Sequence, residues 1–153
     1  MFSSCDKEYM VKKKSYTGNE LRIDGYYYRQ NHTETNVLIF YRNGIMFNFY
    51  NSFPTIDLNI IDNDIEEKFS YYKDEERYWG TFIINGKSIE YSNWHTSMRA
   101  AIGPSKSVGD ILNDTTFHIT KHLQSPYHEF ERDELYHFRE FYPKPDSTNN
   151  FIK

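Results

Sequence analysis

Between residues 21 and 50 the apolar positions fall in short runs broken by turn-forming pairs, a rhythm of sheet rather than helix. Leu21-Arg22-Ile23-Asp24-Gly25-Tyr26-Tyr27-Tyr28-Arg29 reads as a first strand. Gly25 in its interior marks a bulge, a bend or the close approach of another backbone. The pattern VLIFYR-NG-IMFNFY then gives two strands about Asn43-Gly44, a strong hairpin signal because tight turns need positive φ. A two-residue loop there sets Arg42 opposite Ile45, Phe40 opposite Phe47 and Leu38 opposite Phe49 on one face. Val37, Ile39, Tyr41, Met46, Asn48 and Tyr50 share the other. Neither face is polar, whereas a sheet wet on one side alternates apolar with polar, so both faces are expected to be covered. YWGTFII-NG-KSIEYSNW repeats the device at Asn85-Gly86. Here Phe82, Ile84, Ile89 and Tyr91 form a core face, and Trp79, Thr81, Ile83, Ser88, Glu90, Ser92 and Trp94 a mixed one.

Between the hairpins, Asn63-Asp64-Ile65-Glu66 resembles a capping box, and Ile65, Phe69 and Tyr72 make an apolar stripe. This predicts a short amphipathic helix over residues 63–73, with residues 56–61 either a strand or a lead-in turn. Beyond Trp94, strand-like segments SMRAAIG, GDIL, TFHITKHL and ELYHFREFYP alternate with turn residues, GPSKSVG reads as a loop, and residues 124–133 form a charged loop. The ending PKPDSTNNFIK cannot enter a sheet, since Pro143 and Pro145 lack N–H donors. The expected organisation is a flexible tether over residues 1–20, one all-β domain over 21–142, and a tail over 143–153. Eight or nine strands joined by tight turns predict an up-and-down, eight-stranded antiparallel barrel with one short helix, the alternative being a β-sandwich.

Composition sharpens the picture. Fourteen Tyr, twelve Phe and two Trp among 153 residues favour sheet and supply either a solid core or an aromatic pocket lining. The larger apolar side chains are taken as interior, making Tyr27, Phe40, Phe47, Phe49, Phe82, Tyr91 and Phe117 the candidate ligand-binding set. Tyr41, Met46, Asn48 and Tyr50 are the alternative lining. A formal net charge of −4 argues against a duplex nucleic-acid binder, which needs a basic surplus. Lys12-Lys13-Lys14 is the one basic cluster, and no apolar run approaches a membrane span.

His118 and His122 would face one metal on a helix but stand apart on a strand, where Phe117 and Ile119 face the core and both histidines the opposite side. The acidic groups sit beside Lys or Arg, as on a solvated face. Glu90 is the exception, at mid-strand on the mixed face. No Gly-x-Ser-x-Gly, phosphate-binding or dinucleotide-binding pattern is present. No catalytic residue, metal or cofactor is assigned.

Cys5 is the single cysteine. Phe2-Ser3-Ser4-Cys5 resembles the end of a bacterial lipobox, with Phe where Leu is usual, and the following DKEYMVKKKSYTGN is polar, as a tether from an acyl anchor would be. The alternative is an incidental cysteine in a reducing cytoplasm. With RIDGYYY, FYRNGIMF, YWGTFIINGKSIEY and YHFREFYPKPDST, the chain resembles the uncharacterised lipocalin-like (calycin-like) bacterial lipoproteins. Gly25-Tyr26-Tyr27 stands where lipocalins carry Gly-x-Trp. The resemblance implies ligand binding in general terms, and the expectation drawn with the residue pattern is a monomeric, envelope-located protein, anchored at Cys5, that binds a small apolar or amphipathic ligand in its barrel without catalysis. The rival expectation is a solid-core module that docks a protein or glycan through a surface patch at Trp79 and Trp94.

Overall fold

A computed structural model describes residues 10–31, 35–49, 57–93, 104–124 and 128–153. Eight antiparallel strands follow one another in chain order and close into a barrel: β1 (Gly25–Gln30), β2 (Thr35–Phe40), β3 (Ile45–Phe49), β4 (Trp79–Asn85), β5 (Ser88–Asn93), β6 (Ser105–Asn113), β7 (Thr116–Gln124) and β8 (His128–Glu140). Helix α1 (Leu58–Tyr72) lies between β3 and β4 in the chain. The seam is β1 on β8, with Tyr27 opposite Phe138. Gly25 marks the close approach of a backbone, since a Cβ there would collide with the Arg139 carbonyl oxygen.

The first hairpin departs from the expected register by one residue. Phe40 faces Met46, Ile39 faces Phe47 and Leu38 faces Asn48. The loop holds three residues, closed by Tyr41 N–H on Ile45 O (2.9 Å) and Gly44 N–H on Tyr41 O (3.0 Å), with Gly44 at φ +84°. An Asn-Gly pair serves a three-residue loop as well as a two-residue one when its glycine takes the left-handed position. One residue of slip carries a strand's side chains to the other face. Phe47 and Phe49, expected inside with Phe40, therefore lie outside the barrel, and Met46 and Asn48 lie inside. The second hairpin turns at Gly86-Lys87, two residues out of the expected register, which preserves its faces. Phe82, Ile89 and Tyr91 are buried inside as expected.

Gly44→Ala should lose about 1–2 kcal/mol from its left-handed backbone alone, and more because a Cβ would strike the Lys14 backbone. Urea unfolding should show a lower midpoint with the slope unchanged; an unaltered midpoint would contradict the three-residue loop.

Both faces of β2 and β3 are covered. Outside, Tyr26, Val37, Ile39, Phe47, Phe49 and Trp79 pack against Ile61, Ile65 and Phe69 of α1. The helix begins five residues before the predicted 63–73 segment. Asp57 is its N-cap, accepting from Asn59 N–H at 2.9 Å, and the Ile65 stripe runs back to Ile61. Asn63 is thus an interior position, and residues 58–61 are helix rather than strand. Arg139 of β8 clamps α1 through Asp62 (2.6 Å) and Asn59 (3.0 Å), and the Tyr26 hydroxyl donates to Asp62 at 2.8 Å.

Two expected connections are strands. Residues 105–109 of the GPSKSVG stretch, read as a loop, form the start of β6, and residues 128–133 of the charged stretch belong to β8, whose outward carboxylates and lysine partners are solvated. Residues 10–20, read as a tether, are held along the barrel. Val11 is buried and its N–H donates to Ser92 Oγ at 2.9 Å, while Tyr16 and Leu21 join the inner core. The tail stays out of the sheet but packs on the outer core through Ile152. Its Lys144 ammonium donates to the carbonyls of Ile23 and Phe40 and sits 4.5 Å from the Tyr41 ring.

Candidate functional site

The barrel interior has two halves of different chemistry. Towards the end carrying the β2–β3, β4–β5 and β6–β7 turns it is a packed aromatic base. Phe40 lies 4.7 Å from Phe82 and 5.9 Å from Phe117, and Tyr27 lies 5.1 Å from Phe117 (ring centroids). Phe117 stacks on Tyr136 at 4.8 Å. Tyr16, Leu21 and Met46 fill the same cluster. The candidate lining residues Tyr27, Phe40, Phe82 and Phe117 are therefore brought together, but as a solid floor. Tyr91 belongs both to this cluster and to the cavity above it.

At the opposite end the inward positions turn polar and enclose a cavity of about 230 Å³. Six strands reach it by plain alternation: Arg29 lies two residues beyond Tyr27, Asn36 two before Leu38, Asn48 two after Met46 and Asn93 two after Tyr91. Ser105 and Ser107 come from β6, and Arg132, Glu134 and Tyr136 from β8. β4 offers Gly80 at the matching position, opposite Asn93.

His122 enters the cavity through an irregularity. Between Ile119 and Lys121 the partner strand β8 advances three residues, from Glu134 to Glu131, while β6 advances one, from Gly109 to Val108, so β7 carries one residue more than β6 at this point. Thr120 is the extra residue, a β-bulge that reverses the alternation beyond it. Phe117 and Ile119 face the core as expected. His118 points outward to Asp133 at 2.6 Å, but His122, expected beside it, points inward, its Nδ1 3.1 Å from Ser107 Oγ.

A hydrogen-bonded chain crosses the cavity floor. From His122 it passes to Ser107, from Ser107 to the Tyr91 hydroxyl, and from Tyr91 to Tyr136. Tyr136 also accepts from Asn36 Nδ2 at 2.9 Å and bonds to Arg29, whose guanidinium lies 3.7 Å from Glu134. Burial raises the pKa of both hydroxyls, that of Tyr91 well above the ordinary tyrosine value, so both stay neutral. The floor is thus a fixed array of neutral dipoles under charged walls. Among the described residues, the buried wall atoms Arg29 Nε, a donor, and Asn48 Oδ1, an acceptor, find no partner.

The sequence reading missed most of this site. Ser107 and Arg132 fell in segments read as loops, Asn48 was only the alternative lining, and Arg29, Asn36, Glu134 and Tyr136 were unassigned. The available signal was the continuous even-numbered series Phe130, Arg132, Glu134, Tyr136, Phe138, an uninterrupted strand alternation through the charged stretch.

Other candidates are placed differently. Phe47 and Phe49 sit under α1 rather than in the cavity. Trp79 is fully buried, with its Nε1–H donating to Lys73 O at 2.7 Å, so it is no surface patch. The inward positions of β4 are even-numbered, which leaves Trp79 on the outer wall that α1 covers. Glu90 is half-buried on the outer wall. Cys5, Tyr50, Trp94 and His95 lie outside the described residues. Among the described residues no group of three His, Cys, Asp or Glu side chains could hold a metal, and no helix is long and apolar enough to cross a membrane.

Fold and cavity together define a small closed β-barrel with a polar cup set over an aromatic base. No family model, curated protein or solved structure matches the chain.

Proposed function

We propose that the protein is a non-catalytic binder of a small polar or amphipathic molecule, taken into the cup at one end of the barrel. The observation that carries this reading is the division of the interior: a packed base, then a cavity lined by two arginines, a glutamate, a histidine, three asparagines and two serines drawn from seven strands. A barrel serving only as a solid scaffold gains nothing from charged side chains turned inward, since a buried charge is costly unless paired. The volume is below the roughly 300–1,000 Å³ of drug-sized pockets, which favours a compact ligand over a long acyl chain. Closed meander topology supports the lipocalin-like resemblance, and the Cys5 segment supports an envelope-located lipoprotein.

Native mass spectrometry of protein purified from its source should find a small adduct that denaturation releases. Ser107→Phe, which puts a ring into the cup, should lose the adduct while keeping the far-ultraviolet circular dichroism of the barrel. An adduct retained in Ser107→Phe, or no adduct in repeated preparations, counts against the cup. For the anchor, mass analysis should find diacylglycerol on Cys5, lost in Cys5→Ser.

A further inference from the structure

Resting on the cup reading and narrowing it, we infer that the ligand is a compact oxyacid carrying a hydroxyl or amino group close to its acid group. The unpartnered pair in the walls sets this requirement. Among the described residues, Arg29 Nε is a cationic N–H donor buried without an acceptor, and Asn48 Oδ1 is an acceptor buried without a donor, on a residue only 3% exposed. Burying such groups unmet is unfavourable, and a charged one more so. They line one cavity from β1 and β3, two strands and roughly 10 Å of backbone apart. A molecule satisfying both must present an anionic oxygen to the arginine and an O–H or N–H to the amide.

Charge points the same way. Arg29 and Arg132 against Glu134 leave the cup one positive charge in excess with His122 neutral. Glu134 engages Arg29 through Nη1, which leaves the Nε edge of the guanidinium turned to other acceptors. The planar guanidinium fork suits carboxylate or phosphate oxygens, which an ammonium would hold less specifically. The floor hydroxyls are already committed to one another, so selection falls to the walls. A fatty acid is a poor match: its acid group finds Arg29, but its chain meets the packed base and nothing satisfies Asn48.

The test is titration calorimetry with malate, succinate and glycerol, paired with amide and ring-proton shifts of His122, Tyr91 and Tyr136. Malate should bind, succinate should bind at least tenfold more weakly, and glycerol should not bind. Arg29→Gln should abolish malate binding, and Asn48→Leu should bring malate down to the level of succinate, which keeps the test decisive if one variant fails to fold. Glycerol or oleate shifting the cup resonances while no acid does would overturn the oxyacid assignment and leave the cup reading standing. No probe shifting any cup resonance would overturn both. Succinate equal to malate would overturn the donor requirement.

Discussion

Trp79→Ala should unfold at a temperature roughly 10 °C lower than the parent protein. Trp79 is 0% exposed where β4 leaves the 3-10 turn at Glu76–Tyr78, and its ring lies 4.8 Å from Phe47 and 6.2 Å from Phe69. Truncating a buried aromatic to Ala typically loses about 3–5 kcal/mol through transfer and cavity terms. The indole N–H also closes the end of α1 on the Lys73 carbonyl, a hydrogen bond that Ala would remove. Domains of this size lose about 2–4 °C per kcal/mol. Trp79→Phe keeps much of the ring but not the N–H, and should fall between. Differential scanning calorimetry measures both. A Trp79→Ala midpoint within 2 °C of the parent would place the ring at a surface and revive the docking patch.

Alkali should unfold the protein steeply just above pH 10. Burial raises the pKa of Tyr26, Tyr27, Tyr41 and Tyr91 far above the value of 10 that each has when unfolded. A folded pKa above the unfolded one means that the native state holds its protons longer. The associated stability is complete below pH 10 and is lost as pH rises beyond it. Each such group contributes about 1.4 kcal/mol per pH unit of that loss, so four remove roughly 5 kcal/mol by pH 11, comparable to a whole domain's stability.

Lys144 acts oppositely at slightly lower pH. Burial depresses its ammonium to about 8, below the unfolded 10.5, so the unfolded chain binds the extra proton between those values and stability rises with pH across that window. The expected profile climbs from pH 8 towards 10 and then collapses. Tyrosinate absorbance followed with circular dichroism should show the buried tyrosines ionising together with the loss of sheet. Smooth titration of all fourteen near pH 10 with the sheet intact would show that these hydroxyls reach water.

What the sequence made legible was decided by which rules act locally. Alternation, turn residues and aromatic content led to an eight-stranded antiparallel barrel and to covered faces on β2 and β3, because each follows from period-two geometry. The interior of the first hairpin did not follow. Asn43-Gly44 and Asn85-Gly86 are identical dipeptides, yet one sits in a three-residue loop and the other precedes Lys87 in a two-residue loop. In the first, both faces are apolar, so hydrophobicity alone cannot choose the register, and the selection comes from α1 covering Phe47 and Phe49. In the second, unequal faces pinned the side assignment despite the shifted register. The cup was hidden for a related reason. Its charged inward residues look like surface residues until the barrel closes, and His122 changes sides at a bulge that leaves no residue signature of its own.

That bulge divides the β7 strand into two segments with separate phases. The lower segment answers to the aromatic packing, and the upper one is free of it. Removing Thr120 would leave Phe117 and Ile119 seated and His122 and Gln124 still in the lumen, whereas straightening the bulge at unchanged length would turn Lys121 and Leu123 inward in their place. The side chains offered at the rim therefore depend on whether this one irregularity forms, independently of the foundation beneath it.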